Sequence, residues 1–406
     1  MSNLPKSWNL LALNQICDLQ NGYAFKSNDY VNISNTLNCR MSNIRPNGFF
    51  DLEHNQKFLP DSYTQKYQQY LLKDGDVIIA MTDMATEAKI LGVPTIVETQ
   101  GKNLLLNQRV GKLIIKKPEL IYFPYLKYVL NREQVKKYFL KFAGGGLQIN
   151  LGKDDILSVE IPLPPLEEQK RIAEILDQAE ELRTKRRDAI AQLDTLTQSI
   201  FIEMFGDPVR NPKEWVKMPF GEVCVTRLGK MLDKQKQTGE YRRMYLRNAN
   251  VQWFRFNLTD IFEMDFRASE CEILRLQYGD LLICEGGEPG RAAIWRDEIP
   301  ECYYQKTLHR ARPKHDLANS EYLAYLLWLL SKGGGLNDHI TSSTISHLTG
   351  EKLKVMKIPI PPIDIQQKFT HRIEAVESLK AAHRASLSEL DALFDSLQHR
   401  AFKGDL

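Results

Sequence analysis

Two stretches of the chain place apolar residues at alternating intervals of three and four. In the first, Ile172, Ile175, Ala179, Leu182, Ala189, Leu193, Leu196 and Ile200 keep this spacing over four heptads, with Arg186 at the intervening place. In the second, Phe369, Val376, Leu379, Leu390, Leu393 and Leu397 follow the same phase more loosely, with His383 where the first has Arg186. Spacing of this kind predicts long helices whose apolar seam faces a partner helix, as in a coiled coil. A proline pair, Pro164-Pro165 or Pro361-Pro362, precedes each stretch, ending the strand before it and allowing a helix to start at once. Two seams of equal length are expected to pair with each other, antiparallel. Arg186 and His383, each fourteen residues into its seam, would then share a central layer. Such a layer fixes register at a cost in stability, or it is simply a snorkelling arginine that the pair tolerates.

The seams belong to a repeat that runs the length of the chain. Ile161-Pro162-Leu163-Pro164-Pro165-Leu166-Glu167-Glu168-Gln169 returns as Ile358-Pro359-Ile360-Pro361-Pro362-Ile363-Asp364-Ile365-Gln366, 197 positions on. At the same offset Tyr125-Leu126 returns as Tyr322-Leu323, and Gln108-Arg109 as Gln305-Lys306. Gly75-Asp76 with Val77-Ile78-Ile79 returns at 204 as Gly279-Asp280 with Leu281-Leu282-Ile283, while Trp8, Cys17, Arg40 and Asn43 return at 207 as Trp215, Cys224, Arg247 and Asn250. Offsets that drift while the order holds are what loops of unequal length between equivalent elements produce. Each half therefore reads as an irregular, aromatic, strand-rich region running into a long helix. The expected class is α+β: two mixed α/β domains over 1–160 and 208–357, joined by helices over 161–207 and 358–406 that form an antiparallel coiled coil.

A length of 406 residues agrees with more than one domain, since single cores stop growing near roughly 250–300 residues. With 43% hydrophobic and 26% charged residues, the composition is that of an ordinary globular protein. The longest apolar run, 322–330, is far short of the roughly 18 residues that read as a membrane span, and the first residues lack the apolar core of a signal peptide. A cytoplasmic location is expected. The net charge of +3 neither requires nor excludes a nucleic acid, so any footprint on one must be local. Six scattered cysteines with no Cys-x-x-Cys pair predict reduced thiols rather than a zinc ribbon or disulfides.

Catalytic signatures are missing from the sequence. It has no Gly-x-x-x-x-Gly-Lys-Ser/Thr, His-Glu-x-x-His or Gly-x-Ser-x-Gly, and Glu285-Gly286-Gly287-Glu288-Pro289-Gly290-Arg291 carries carboxylates where a phosphate would sit. The proline pairs are flanked by leucine and isoleucine, not by the polar and aromatic residues with which DNA amino-methyltransferases grip an extruded base. One enzymatic alternative is open. Asp61, Glu87 and Lys89 fit the loose pattern of two acids and a lysine in a metal-dependent nuclease, although the repeat puts Arg291 where Glu87 stands.

The irregular regions interleave basic and aromatic residues instead, in Tyr241-Arg242-Arg243-Met244-Tyr245-Leu246-Arg247, Trp253-Phe254-Arg255-Phe256 and His309-Arg310-Ala311-Arg312-Pro313-Lys314-His315. Arginine and lysine can fork onto guanine edges and phosphates, and asparagine and glutamine onto adenine edges; a solvated strand face has a similar composition. On the repeated Pro-Pro-x-x-x-Gln motif, the Arg171-Ile172-Ala173 after its first copy, the Gly-Asp strand start in each half and the two-fold repeat, the chain resembles the specificity subunit of type I restriction-modification systems over almost its whole length. The second copy departs from the pattern with Ile365 before Gln366 and with a more polar seam. The resemblance implies a non-catalytic subunit with two target-recognition domains, each reading one half of a split site on double-stranded DNA, and two helices that dock two modification subunits. Those partners carry S-adenosylmethionine and methylate adenine N6, and added restriction subunits use ATP and Mg²⁺ to translocate and cleave DNA. None of these cofactors is expected in this chain.

Polar residues beside the matched loops are the expected DNA contacts. They are Lys26, Arg40, Asn43, Thr82, Lys89, Gln108, Arg109, Gln148 and Asn150 in the first half, and Arg243, Arg247, Asn250, Glu285, Arg291, Gln305, Lys306 and His347 in the second. Arg40 with Asn43 and Arg247 with Asn250 carry a second reading, in which matched positions serve the fold and unmatched ones set the two sequences. The docking helices are expected to use Ile172, Ile175, Leu182, Leu193, Leu196 and Ile200, and Phe369, Val376, Leu379, Leu390, Leu393 and Leu397. Because the candidate contacts differ between halves, the DNA site should be asymmetric. The seam over 172–200 spans about 42 Å at about 1.5 Å per residue, enough to set half-sites about 34–36 Å apart with a fixed gap of about six to eight base pairs.

Overall fold

The computed structural model describes residues 4–84, 88–142, 147–233, 237–340 and 346–406. The chain forms two compact units, Met1–Arg187 with Ala385–Leu406 and Asp188–Arg384, so each long helix is divided between them. In the first unit, strand Val77–Ala80 buries all four residues, as its continuous apolar run leads one to expect of a central strand. It lies in an antiparallel sheet ordered Cys17–Asn21, Val110–Ile115, Val77–Ala80, Pro94–Ile96. A second sheet runs Phe58–Leu59, Thr36–Cys39, Asn103–Leu106, Leu71–Leu72, with its middle pair parallel. The second unit repeats the plan. Leu281–Cys284, also buried throughout, sits in the order Cys224–Leu228, Leu308–Pro313, Leu281–Cys284, Ala292–Ile294. Beside it, Arg242–Leu246 pairs with Phe262–Asp265 and, in parallel, with Tyr303–Tyr304. A short ribbon leads into each long helix: Asn9–Ala12 with Glu160–Leu163, and Lys217–Pro219 with Lys357–Pro359.

The long helices, Leu166–Phe205 and Ile363–Ala401, start directly after the proline pairs, and the repeated glutamine clamps each start. Gln169 is wholly buried; its Oε1 accepts from Tyr122 N–H at 2.8 Å, and its Nε2 donates to the carbonyls of Leu120 and Pro164, both at 2.8 Å. Gln366 serves Asn319 N–H at 3.1 Å and the carbonyls of Leu317 and Pro361 at 2.9 and 2.8 Å. One amide thus satisfies three backbone groups that the junction of loop, strand end and helix would otherwise orphan. Tyr125 and Tyr322 brace the same junction, donating to the carbonyls of Pro162 and Pro359 at 2.6 and 2.7 Å. The residue before the glutamine is outside this clamp: Glu168 pairs with Arg171 at 2.8 Å, and Ile365 packs against the second unit's core. Gln169→Leu is expected to destabilise the first unit by about 3 kcal/mol, because each buried group left unpaired costs roughly 1–3 kcal/mol and water recovers part of it. The urea midpoint should fall with the slope unchanged; an unmoved midpoint would mean that the clamp contributes nothing to stability.

Within each unit the helix segments run antiparallel. In the first, Arg183 meets Asp391 at 2.6 Å and Arg171 reaches the Leu406 carbonyl at 2.7 Å. In the second, Asp194 meets Lys380 at 2.7 Å and Glu203 meets Arg372 at 3.6 Å. Burial corrects part of the expected seam. Ile172, Ile175, Leu193, Ile200, Phe369, Val376, Leu390 and Leu397 are buried or half-buried, as are Arg186 and His383, one in each unit. Leu182, Leu196, Leu379 and Leu393 instead face outward, at 51, 45, 53 and 48% exposure. The alternate seam positions lie one residue later, at Leu176, Arg183, Ile190 and Thr197 and at Ile373, Lys380, Leu387 and Phe394. Charged residues are tolerated there because each is paired. Arg183 is held by Glu180 at 2.5 Å and by Asp391, and lies 4.4 Å over the Phe394 ring; Lys380 is held by Glu377 at 2.6 Å and by Asp194. Each member of one triad matches a member of the other at an offset of 197.

Candidate nucleic-acid interface

A circuit of backbone hydrogen bonds gathers the polar loops of the first unit at one edge, where its sheets end. Tyr23 O accepts from Gln108 N–H at 3.1 Å, Cys39 O from Asn107 N–H at 3.0 Å, Arg109 O from Met81 N–H at 3.0 Å, and Met81 O from Leu151 N–H at 2.7 Å. Glycine is required at position 22, where a Cβ would overlap the Asn107 carbonyl. Strand Gln148–Asn150 joins the edge by pairing with Thr82–Met84. The second unit closes the same circuit. Lys230 O accepts from Lys306 N–H at 2.8 Å, Leu246 O from Gln305 N–H at 2.9 Å, Thr307 O from Glu285 N–H at 3.0 Å, and Glu285 O from Leu348 N–H at 2.7 Å. Gly229 abuts the Gln305 carbonyl as Gly22 does that of Asn107, and His347 bridges to Gly286. These equivalences shift the expected register by one. Val110 N–H reaches Asn107 O and Leu308 N–H reaches Gln305 O, both at 2.9 Å, so Asn107 matches Gln305 and Gln108 matches Lys306.

Gln108, Arg109, Gln148 and Asn150 stand exposed on the first edge, with Lys26 and Lys89 exposed on flanking loops. Thr82 is buried and its hydroxyl donates to Asn150 Oδ1 at 2.8 Å, so it orients Asn150 and does not face outward. Arg40 follows strand Thr36–Cys39 onto the edge, and makes no ion pair among the described residues. On the second edge Lys306 is exposed, and Gln305, Glu285 and His347 are half-buried. The arginines there are compensated: Arg247 by Asp260 at 2.6 Å and by the Phe262 ring at 3.7 Å, Arg291 by Glu288 at 3.2 Å and the Asn248 carbonyl at 3.2 Å. Arg243 lies four residues up its strand, beside Glu301 at 3.5 Å. Asn43 and Asn250 are corrected from contacts to frame residues, since they are 4 and 2% exposed and turn their amides inward.

Burial also changes the reading of a basic run. His309 and Arg310 are buried, and Arg312 forks onto the wholly buried Asp280 at 2.7 and 2.8 Å, so the first part of that basic run is turned inward, while Lys314 and His315 at its end are exposed. Desolvation holds the His309 imidazole below its ordinary pKa, which keeps it neutral. The nuclease reading gains no support: Asp61 sits at the start of strand Thr36–Cys39 and accepts from Asn35 N–H at 3.1 Å and the Thr36 hydroxyl at 2.7 Å. Glu87 lies outside the described residues, and no group of three His, Cys, Asp or Glu among the described residues could hold a metal. The cysteines are free thiols, with burial pushing Cys17 and Cys224 up to about 12.

Of the ten buried side-chain polar atoms without partners among the described residues, five lie at the edges: Arg40 Nη1 and Ser42 Oγ in one unit, Arg247 Nε, Arg291 Nε and Asn248 Oδ1 in the other. Such atoms are rare in folded proteins and mark places where a ligand can complete the bonding. The side chains exposed at the edges include amide and guanidinium groups suited to base edges and ammonium groups suited to phosphates. The sequence reading missed Tyr23 and Lys230, although Gly22 and Gly229 precede them at the same offset of 207 that relates Cys17 to Cys224. It also missed the aromatic cluster of Tyr23, Phe25, Tyr63 and Tyr67, over which Lys66 lies 5.2 and 5.1 Å from the Tyr63 and Tyr67 rings.

Comparison with known proteins bears directly on this arrangement. A family model described as the type I restriction modification DNA specificity domain matches twice, over residues 5–192 and 212–392. The type I restriction enzyme MjaVIII specificity subunit of Methanocaldococcus jannaschii is 31% identical over 203 residues, covering 49% of this chain and 46% of that relative, so the match spans about half of each. The EcoKI specificity subunit of Escherichia coli K12 is 22% identical over 99% of this chain and 90% of its own length. The crystal structure of the S subunit of a type I system from M. genitalium shares the fold at a TM-score of 0.57 and 15% identity, covering 98% of this chain and 96% of that one. A chain from a structure on complex assembly and conformational transition of a type I system gives 0.58 and 19%, with both chains covered in full. Among the described residues, no helix is long and apolar enough to cross a membrane. With the family model matched in both halves and over most of its length, the chain belongs to the specificity subunits of type I restriction-modification systems, the non-catalytic members that supply DNA sequence recognition.

Proposed function

We propose that each unit reads one half of a bipartite double-stranded DNA site through its edge, and that the long helices hold two modification subunits. The observation that carries the first part is one backbone circuit built twice with different side chains: Tyr23 against Lys230, Gln108 and Arg109 against Lys306 and Thr307, Asn150 against His347. A common frame with unlike readers suits an asymmetric site. Gln108, Arg109 and Asn150 offer forks for base edges, while Lys26, Lys89 and Lys306 suit phosphates.

For the second part, the support is the set of outward leucines. Leu182 and Leu393 belong to the first unit, Leu196 and Leu379 to the second, and each stands one residue before a seam position. Residues there flank the seam, and in an antiparallel coiled coil the matching flanks of two helices fall on the same side. Two equivalent apolar patches suit two copies of one partner, which would bring S-adenosylmethionine; ATP and Mg²⁺ would enter with restriction subunits.

The test is methylome sequencing of a host that carries the chain with its modification subunit. Gln108→Ala with Arg109→Ala should relax one half of the methylated motif, and Gln305→Ala with Lys306→Ala the other. Each loss should be about 10- to 100-fold in discrimination, the order of one or two base forks. Variants that leave both halves of the motif intact would remove the edges as readers.

A further inference from the structure

The sequence Arg-x-x-Asn occurs at matched places, 40–43 and 247–250. In both, the arginine is the last extended residue before a single tight turn, with φ −114° and ψ 165° at Arg40 and φ −114° and ψ 170° at Arg247. The asparagine uses its side chain in the same way twice. Asn43 Oδ1 accepts from Arg40 N–H at 2.9 Å, and its Nδ2 donates to the carbonyls of Asp51 at 2.9 Å and His54 at 3.4 Å. Asn250 Oδ1 accepts from Arg247 N–H at 2.8 Å, and its Nδ2 donates to the carbonyls of Asn257 at 2.9 Å and Asp260 at 3.0 Å. Each asparagine N–H returns to the carbonyl of its arginine at 2.9 Å. The loops that supply the acceptors differ in sequence and spacing, 8 and 11 residues onward in one copy and 7 and 10 in the other. Both copies keep the amide, the arginine it holds and a return bond to the asparagine carbonyl, from Asp51 N–H at 2.8 Å and from Asn257 N–H at 2.7 Å.

We propose that Asn43 and Asn250 are positioning residues for recognition, each fixing the main chain from which Arg40 or Arg247 reaches the DNA of its own half-site. The inference rests on the assignment of the two edges to DNA. Its chemistry needs an amide, which accepts from one N–H while donating to two carbonyls. A carboxylate could accept from the arginine N–H but would set its second oxygen against those carbonyls. One N–H of each guanidinium, at Arg40 Nη1 and at Arg247 Nε, is buried without an acceptor, so the surrounding frame does not satisfy either group in full. Arg247 has a second restraint in Asp260, whose carboxylate lies 2.6 Å from its guanidinium. Arg40 makes no such pair among the described residues, so it depends more on its asparagine.

The experiment uses the full chain assembled with its modification subunit, and a duplex carrying the motif that this complex methylates. Asn43→Asp should weaken binding about tenfold and thin the footprint over one half-site, while the other half-site in the same complex stays protected; Asn250→Asp should mirror this with a smaller effect. In an Arg40→Ala background, Asn43→Asp should add nothing, because the two residues act through one contact. Should the aspartate variant not assemble, Asn43→Ser, which can still accept from Arg40 N–H, should give an intermediate loss at the same half-site. Equal losses in both backgrounds, or thinning over both half-sites, would mean a purely structural role and overturn the proposal. If Arg40→Ala and Arg247→Ala leave binding unchanged, the proposal also falls, and the edge assignment is then judged separately by the Gln108 and Lys306 variants.

Discussion

A chain carrying Leu182→Asp with Leu393→Asp is expected to hold one modification subunit, against the two proposed for the parent chain, and adding Leu196→Asp with Leu379→Asp should leave none. All four leucines are about half exposed, so a carboxylate at any of them keeps most of its hydration and should change folding stability by no more than about 0.5 kcal/mol. In a complex the same carboxylates would be desolvated against an apolar partner surface. Hot-spot residues at the centre of an interface contribute about 2–4 kcal/mol each, so if both leucines of a patch are of that kind docking should weaken by about a thousandfold or more. Light scattering on the co-purified complex reads the result as a stepwise loss of mass. Leu193 makes the useful contrast: it is half-buried and packs against the second unit's core, so Leu193→Asp should lower the melting temperature itself. If the fourfold variant still carries two partners, the outward leucines are not the docking surface.

What the sequence made legible, and what it hid, follows from where each residue's partners lie. The repeat could be read because the residues that build a junction cannot vary: Gln169 and Tyr125 serve particular backbone groups, and Gln366 and Tyr322 must do the same. Most of the seam was legible, but the outward leucines were not. A one-dimensional pattern prefers Leu182 to Arg183, because the aspartate that makes Arg183 acceptable is 208 residues away. For the same reason His309 to Arg312 read as a basic face, although Asp280, which pairs with Arg312, lies 32 residues off and is wholly buried. At the edges, Gln108 and Asn150 were found because they adjoin matched loops. Tyr23 and Lys230 were not, because the equivalent places use only their backbone groups, which leaves their side chains free to differ. Asn43 and Asn250 matched for the opposite reason: they shape the frame that both units share.

Removing residues 184–190 together with 381–387 is expected to shorten the gap between the two half-sites by about three base pairs. The prediction rests on the long helices setting the distance between the readers. One heptad is about 10 Å of helix, and base pairs rise by about 3.4 Å. A whole heptad keeps the seam in phase, so the remaining seam residues meet their partners again. These windows retain Arg183 with Glu180 and Asp391, Lys380 with Glu377 and Asp194, and all four outward leucines. They remove Arg186 and His383 together, one from each helix. Three base pairs also rotate one half-site relative to the other by roughly 100°, at about 10 pairs per turn, so affinity should fall as the spacing changes. Selecting bound duplexes from a randomised pool with the assembled complex should therefore return the parental half-sites, more weakly held and closer together. Removing only one of the two windows breaks the register between the helices and should abolish assembly. An unchanged gap in the double deletion would show that something other than the helices measures the distance.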